Sequence, residues 1–272
     1  MTKVFPGSPA AQAQIIPGEV IVSVDGMSTA GQSGSTTVAR IAGPAGSTVR
    51  LQLQRPAASR RIDLTLTRRS ISLPLTTSRL LRTHGTKVGY VALSSFSQGA
   101  GQRVRQAIAS LQQRGAQWIV FDLRDNGGGL VSEAGSVASD FLPAGKTVVT
   151  MQGLHSAKDV VKASGGDPTR LPLVVLVNGN TASASEIVTG ALQDYRRATI
   201  IGTKTFGKGV VQTVLPLSSG AELKITIASY RTPLGRDINH KGLEPSIVVT
   251  QHVGASADPV LVRALHFIAT GH

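Results

Sequence analysis

The spacing of apolar and polar residues divides the chain into two parts with different expected structures. In the first part, residues 49–54 and 62–67 alternate apolar and polar side chains, which is the period of a half-buried strand. Residues 20–26 form a strand-like run that ends in an Asp-Gly turn, and residues 36–42 favour a short helix. Residues 1–69 are therefore predicted to form a small β-rich domain.

From residue 88 onward, strand-like and helix-like segments alternate. The first predicted helix places Val104, Ile108 and Leu111 on one face. Predicted strands cover residues 88–93, 118–123, 173–177 and 198–201, and predicted helices cover residues 102–112, 131–141, a stretch ending near 193, and 259–268. This alternation predicts an α/β domain of mixed α+β character with partly parallel strands. The domain would span residues 70–272, with a polar, basic linker at residues 70–87.

Composition indicates a folded protein and excludes several kinds of chemistry. The chain has 272 residues, of which 41% are hydrophobic and 16% charged, so it can bury a sizeable core. It lacks an apolar run near the length of a membrane span and an apolar signal core at its start. The absence of cysteine excludes a thiol nucleophile and thiolate-bound zinc, and the six histidines form no His-Glu-x-x-His motif. No metal or other cofactor is predicted.

The formal net charge of +13 would attract an anionic partner such as nucleic acid, anionic lipid or an acidic peptide. Much of this charge lies between residues 50 and 87, while aromatic residues make up only 4% of the chain. Platforms for stacking single-stranded bases are therefore scarce. A solvated basic surface is favoured over a nucleic-acid site. DNA binding stays an alternative, and a steep dependence of affinity on salt would reveal it.

Candidate chemistry lies in two segments of the second part. Ser183 is predicted at a strand-to-helix corner, where its hydroxyl would be exposed, and Lys208 stands between two glycines. A serine needs a base to take its proton, and burial favours the neutral form of a lysine that serves as that base. The apolar neighbours Phe206 and Val210 suit such burial, although a surface lysine in a Gly-rich hairpin is the alternative. Ser185 is a competing nucleophile, and spacing does not choose between the two serines.

Acyl transfer also needs donors for an oxyanion. The Ala184 amide follows Ser183 at a helix start, where amides are unpaired, and Gly128 or Gly129 offers a second amide after a predicted strand. Gln212 would share a face with Lys208 if that lysine began a strand, and could then orient its amine. A glutamine on a sheet face without such a role fits the pattern equally well. The nearby Thr181 is predicted to be a helix N-cap.

Residues 202–209 nearly match a phosphate-binding loop, G-x-x-x-x-G-K-[ST]. Gly209 replaces the hydroxyl residue that binds magnesium, and residues 210–215 read as a strand where such a loop needs a helix. The nucleotide interpretation is therefore disfavoured.

At these residues the chain resembles the C-terminal processing peptidases, also called tail-specific proteases. The motifs that carry the resemblance to the protease core are Phe121-Asp-Leu-Arg-Asp-Asn-Gly-Gly-Gly129, Thr181-Ala-Ser-Ala-Ser-Glu-Ile187, Thr205-Phe-Gly-Lys-Gly209, Tyr230-Arg-Thr-Pro-Leu-Gly235 and Gly242-Leu-Glu-Pro245. Pro6-Gly-Ser-Pro-Ala10, Ile16-Pro-Gly-Glu-Val-Ile21 and Asp25-Gly26 resemble an embedded PDZ domain. The resemblance implies a catalytic set of Ser183 as nucleophile, Lys208 as base and Gln212, with oxyanion donors at Gly128 and Ala184. It also implies supporting roles for Asp194, Glu186 and Thr205.

The implied function is that of a serine endopeptidase with a Ser–Lys dyad that cleaves C-terminal or unstructured segments of proteins. The implied fold is a crotonase- and Clp-protease-like core behind a PDZ domain, and the implied location is the periplasm or cell envelope. Expected partners are protein substrates and a second copy of the chain, not nucleic acid. The PDZ domain is expected to be partial, because its first strand and carboxylate-binding loop should precede Thr2. In the protease core, the family usually has proline where this chain has Gly127, and this departure is expected to loosen the oxyanion turn. The alternative is a non-catalytic PDZ-type peptide-binding module.

Overall fold

The computed structural model describes residues 4–5, 7–32, 34–55, 61–71, 74–153, 157–216, 222–250 and 257–271. The chain divides between residues 73 and 74 into two compact units, close to the predicted boundary at residue 69. The expectation that the first PDZ strand is absent falls on the start of the chain, where residues 1–3 and 6 lie outside the described part.

The first unit is the β-rich domain that the period-two pattern predicts. Its elements are α1 (Pro9–Gln12), β1 (Val20–Val24), β2 (Met27–Ser28), α2 (Gly34–Ile41), β3 (Thr48–Gln54) and β4 (Arg61–Thr67). The strands form an antiparallel sheet in the order β2-β1-β3-β4. Val49, Leu51 and Leu53 alternate along β3 and are buried in this unit's own core, which confirms the inferred strand face.

The second unit contains two sheets and four helices among its described residues. Its elements are β5 (Thr76–Thr83), β6 (Thr86–Leu93), α3 (Ala100–Gln113), β7 (Trp118–Asp122), α4 (Val131–Ser139), β8 (Thr147–Gly153), β9 (Asp159–Lys162), β10 (Leu173–Val177), α5 (Ala184–Asp194), β11 (Ala198–Gly202), β12 (Val210–Pro216), β13 (Glu222–Arg231), β14 (Ile247–Val248) and α6 (Pro259–Thr270). The larger sheet has the order β14-β11-β10-β7-β6-β5 and is parallel except for the β5–β6 pair. The smaller sheet, β12-β13-β8-β9, is antiparallel. The predicted mixed α/β fold is confirmed.

Both faces of the larger sheet are covered, which explains why its strands are continuous apolar runs. Ile119 and Phe121 of β7 point into the core shared with α3, α4 and α5, whereas Val120 points into a second cluster under α6. Because β7 and β10 are parallel neighbours, the turns that follow them lie at the same edge of the sheet. The predicted oxyanion turn and the Ser183 corner are these two turns.

The prediction of a linker over residues 70–87 is wrong for most of that range. Residues 76–83 form β5, which pairs with β6 from Thr76↔Leu93 to Thr83↔Thr86. The strand is an edge strand, and edge strands commonly carry charged side chains, so its basic residues concealed it from the pattern. Among the described helices, none is long and apolar enough to cross a membrane.

Candidate active site

Ser183 stands at the corner between β10 and α5, with an unusual backbone conformation. It is the residue before the first turn of α5 and has φ 57° and ψ −119°. A non-glycine residue in this region is strained and persists only where its surroundings hold it. The corner is held by Thr181, whose buried hydroxyl donates to Leu123 O at 2.9 Å. The prediction of Thr181 as N-cap is therefore wrong, because Ser183 occupies that position.

The two candidate serines have different environments. Ser185 is fully buried, and its hydroxyl donates to Asn126 O at 2.9 Å. Ser183 is half-buried at the corner. A buried hydroxyl that is committed to a main-chain acceptor cannot meet a peptide carbonyl without leaving its place. The geometry thus favours Ser183 over Ser185 as the group that can reach a substrate.

Asn126 joins the turn after β7 to the serine corner, and the sequence analysis did not select it. Its fully buried amide donates from Nδ2 to Leu93 O at 2.8 Å and accepts from the Gly128 amide at 2.9 Å. Its main-chain oxygen accepts from the Ala182 amide at 3.1 Å. An asparagine in a polar Gly-rich turn carries no sequence signal of burial, since only the contact between the two turns encloses it.

The predicted oxyanion donors lie side by side, but they differ in their hydrogen bonds. Gly128 has φ 98°, and a Cβ there would lie 2.7 Å from Ala182 O and 2.8 Å from Ala184 N. The Ala184 amide begins α5 and has no acceptor within the described ranges. The Gly128 amide donates to Asn126 Oδ1, so it can serve an oxyanion only by exchanging that acceptor. The alternative donor, Gly129, packs its Cα against the Phe96 main chain.

The loop that carries Lys208 is shaped by its two glycines. Gly207 has φ 89°, and a Cβ there would lie 2.8 Å from the Gly242 amide; a Cβ on Gly209 would lie 2.6 Å from Asn239 N. The absence of a side chain at both glycines thus lets the backbone of this loop approach residues 239–242 closely. Lys208 itself is half-buried. Phe206 is 65% exposed, so the expectation that it helps to bury Lys208 is wrong.

Glu186 connects the serine corner to the lysine loop. This carboxylate is fully buried, and Oε2 accepts from the amides of Ser183 at 3.0 Å and Lys208 at 2.9 Å. Oε1 accepts from the Gly207 amide at 2.8 Å and the Thr205 hydroxyl at 2.5 Å. Four donors therefore converge on one carboxylate, which satisfies its buried oxygens and fixes the two segments relative to each other.

The remaining predicted residues are placed as follows. The strand β12 begins at Val210, after Lys208, and its register shifts between Val211 and Gln212. The same-face argument for Lys208 and Gln212 therefore does not hold, and the Gln212 side chain lies outside the described part of the structure. Asp194 ends α5, pairs with Arg236 and accepts from the Leu234 amide at 2.8 Å, so its described contacts are with the turn after β13.

The phosphate-loop interpretation fails on the element that follows the lysine. Residues 210–216 form a strand, as predicted, and not the helix whose N-terminus would meet a phosphate. Among the described residues, no group of three or more His, Asp or Glu side chains is arranged to hold a metal ion.

Comparison with known proteins identifies the family. The model of peptidase family S41 matches residues 87–249, and a PDZ domain model matches residues 2–55. The chain belongs to peptidase family S41. The S41 match covers both turns of the site and the lysine loop, and the inferred resemblance to C-terminal processing peptidases is confirmed.

Relatives of this S41 chain include a carboxyl-terminal-processing protease of a Synechocystis species, 41% identical over 90% of the chain and 57% of the relative. Carboxyl-terminal-processing peptidase 2 of Arabidopsis thaliana is 39% identical over 88% of the chain and 47% of the relative. The chain thus spans about half the length of these curated relatives. Among solved structures, a photosystem II D1 C-terminal processing protease superposes with a TM-score of 0.72 at 36% identity, covering 90% of this chain and 66% of that protein.

Proposed function

We propose that the protein is a serine endopeptidase in which Ser183 is the nucleophile and Lys208 is its base. The observation that carries the proposal is the Glu186 carboxylate, which accepts hydrogen bonds from the main-chain amides of both residues. A strained serine at a helix start and a lysine between two glycines are thereby held in one rigid arrangement. That arrangement suits acyl transfer, in which the positions of nucleophile and base must be fixed before the substrate arrives.

The chemistry proceeds in two stages. Ser183 Oγ attacks the scissile carbonyl carbon while its proton passes to the neutral amine of Lys208, and the oxyanion forms next to the Ala184 amide. Lys208 then protonates the leaving amine, which departs as the acyl-enzyme forms. In the second stage Lys208 takes a proton from water, whose oxygen attacks the ester carbon. The bond between the acyl group and Ser183 Oγ then breaks, Lys208 returns the proton to Ser183 Oγ, and the new carboxyl product is released. Gln212 remains a candidate for orienting the lysine amine, and Gly128 for the second oxyanion donor.

The proposed substrates are C-terminal or unstructured segments of proteins. Support comes from the PDZ match over residues 2–55 and from the names of the relatives as carboxyl-terminal-processing proteases. A PDZ domain holds an extended tail by strand addition. A cavity of about 1110 Å³ lies along β1 in the first unit and offers Asp25, Arg50, Arg61 and Asp63 to a peptide. Location in the cell envelope and self-association stay predictions of the family resemblance.

Cleavage of an unfolded protein by matched variants tests the assignment. We expect Ser183→Ala and Lys208→Ala each to lose nearly all activity, by about 1,000-fold or more, with little change in thermal stability. Ser185→Ala is the matched control, because it removes the neighbouring hydroxyl, costs about 1 kcal/mol of stability through the lost bond to Asn126, and keeps activity. Retained cleavage in Ser183→Ala would refute the proposal, and absence of cleavage in the unaltered protein with retained peptide binding would favour a non-catalytic binding module.

A further inference from the structure

Three polar side chains join the two turns that carry the proposed oxyanion donors. Asp125 lies in the turn after β7, and Asn178 and Asn180 lie in the turn after β10. Asn178 Nδ2 donates to Asp125 Oδ1 at 2.9 Å, and Asn178 Oδ1 accepts from the Asp125 amide at 3.0 Å. Asn180 Nδ2 donates to the same Asp125 oxygen at 2.8 Å. Asp125 and Asn178 thus bind each other in both directions, and we call them the Asp125–Asn178 pair.

The Asp125–Asn178 pair also holds the backbone of each turn. Asp125 has φ 58°, a left-handed conformation in which asparagine and aspartate are enriched among residues other than glycine. Asn178 Oδ1 accepts a second main-chain amide, from Asn180 at 3.1 Å, and so fixes the start of the serine corner. Asp125 directly precedes Asn126, whose side chain accepts from the Gly128 amide. The pair therefore fixes both turns next to the residues that place the oxyanion donors.

The separation of the two proposed donors depends on how the two turns are held together. The Gly128 amide belongs to the first turn, and the Ala184 amide follows the second. Buried contacts join the turns at Asn126 O, whereas the Asp125–Asn178 pair joins them on the solvent side, where Asp125 is exposed. An oxyanion develops only during the reaction, so misplaced donors raise the reaction barrier without weakening substrate binding.

We propose that Asp125 and Asn178 are positioning residues, which keep the two oxyanion donors at the separation that acyl transfer requires. The inference rests on the proposed Ser183 nucleophile and its oxyanion donors. Neither side chain exchanges a proton or touches the reacting atoms in this role. Asp125 acts through its acceptor oxygen and not through its charge, because both side-chain groups that donate to it are neutral amides.

Asn178→Ala removes both bonds of the pair and leaves the φ of Asp125 without a substitution. We expect kcat for an unfolded substrate to fall by about 10- to 100-fold while KM changes by less than about twofold, because alignment and not binding is lost. Gln117→Ala is the matched control. The exposed Gln117 Oε1 accepts from the Lys87 amide at 3.0 Å, at the opposite end of the same sheet. Gln117→Ala should keep kcat within about twofold of the unaltered protein.

Exchange of the two side chains tests the reciprocal contact. Asp125→Asn keeps an acceptor oxygen and should retain kcat within about twofold, whereas Asn178→Asp sets two carboxylates against each other and should lower kcat by about tenfold or more. The double variant, Asp125→Asn with Asn178→Asp, again sets an NH2 group against a carboxylate. The second proton of that group can meet the side-chain oxygen of Asn180. We expect the double variant to recover kcat to within about threefold of the unaltered protein.

All rates are measured per mole of folded protein, well below the unfolding midpoint of each variant. A kcat for Asn178→Ala within about twofold of the unaltered protein, with Ser183→Ala inactive, would overturn the role of the pair and leave the dyad intact. Equal losses of kcat in Asp125→Asn and Asn178→Ala would also overturn it, since the charge of Asp125 would then be what matters. A double variant no more active than Asn178→Asp would contradict the reciprocal contact. Activity in Ser183→Ala would instead refute the proposed function itself.

Discussion

Glu186 is the single residue on which the arrangement of the site depends most. Glu186→Gln keeps the size of the side chain but replaces one carboxylate oxygen with an NH2 group. That group is a donor and cannot accept the hydrogen bond of a main-chain amide. We expect a stability loss of about 1–3 kcal/mol and at least a tenfold loss of kcat, because Ser183 and Lys208 lose their common acceptor. Equilibrium urea unfolding and cleavage kinetics would measure the two effects.

The control for Glu186 is the same substitution at an exposed acid. Glu244 is 66% exposed at its side chain and pairs with Lys204 at 2.8 Å. Glu244→Gln should change stability by less than about 0.5 kcal/mol and leave kcat unchanged. Equal changes in stability and kcat for the two substitutions would mean that the hydrogen bonds to Glu186 contribute no measurable free energy.

At the scale of elements, the turn between β7 and α4 and the corner between β10 and α5 touch through their main chains. Gly128→Ala places a methyl group 2.7 Å from Ala182 O and 2.8 Å from Ser183 Cβ, at a φ that disfavours any side chain. We expect a loss of about 1–3 kcal/mol in stability and more than tenfold in kcat, since the two turns must separate.

The neighbouring glycine provides the comparison for this turn. A Cβ on Gly127 would meet nothing within 4 Å, so Gly127→Ala should retain kcat within about twofold and stability within about 0.5 kcal/mol. Thermal unfolding and cleavage assays on both variants decide the matter. Tolerance of Gly128→Ala equal to that of Gly127→Ala would contradict the close contact of the turns.

Elements with uniform surroundings could be predicted from the sequence, whereas elements with mixed surroundings could not. The strands β7 and β10 are buried on both faces, and their apolar runs predict them directly. The pattern predicts a linker in place of strand β5, because half of its residues are exposed, the others are only partly buried, and its arginines make it polar. Arg79, for example, lies 4.7 Å from the Tyr90 ring. Strands β8 and β13 were not predicted, since their pairing joins segments distant in sequence.

At the scale of the whole molecule, stability should depend on pH through Asp140. Its side chain is 2% exposed and pairs with Arg105 at 2.7 Å. Burial raises the pKa of Asp140 from 3.8 to about 6, while Arg105 opposes the rise. The folded state binds this proton more tightly than the unfolded state, so the stability contribution is present below about pH 4 and is lost as pH rises to about 6.

Asp140→Asn should remove that loss, which amounts to about 3 kcal/mol for a shift of about two pKa units. Urea unfolding between pH 4 and 7 can be followed at Trp118, the only tryptophan, which lies in the second unit with Asp140. Asp159→Asn, at an exposed strand position, should keep the pH dependence of the unaltered protein. An unchanged slope in Asp140→Asn would assign the pH dependence to other groups.

The division into two domains and the choice of Ser183 and Lys208 could be proposed from sequence because motifs and periodicity are local. Contacts between segments that are distant in the sequence could not be predicted in this way. Asn126 and Glu186 each bind two turns that are about 20 or more residues apart, and Tyr230 reaches the lysine loop from another strand. The alternation of strands and helices predicts that these segments meet, but not which side chains join them.

The central claim is that Ser183 is a nucleophile activated by Lys208, and covalent labelling tests it most directly. A peptidyl phosphonate ester, which reacts with an activated serine, would be incubated with the protein and the modified residue mapped by mass spectrometry. We expect the label on Ser183, none on Ser185, and labelling at least about 100-fold slower in Lys208→Ala. A label on another residue, or an undiminished rate in Lys208→Ala, would contradict the account.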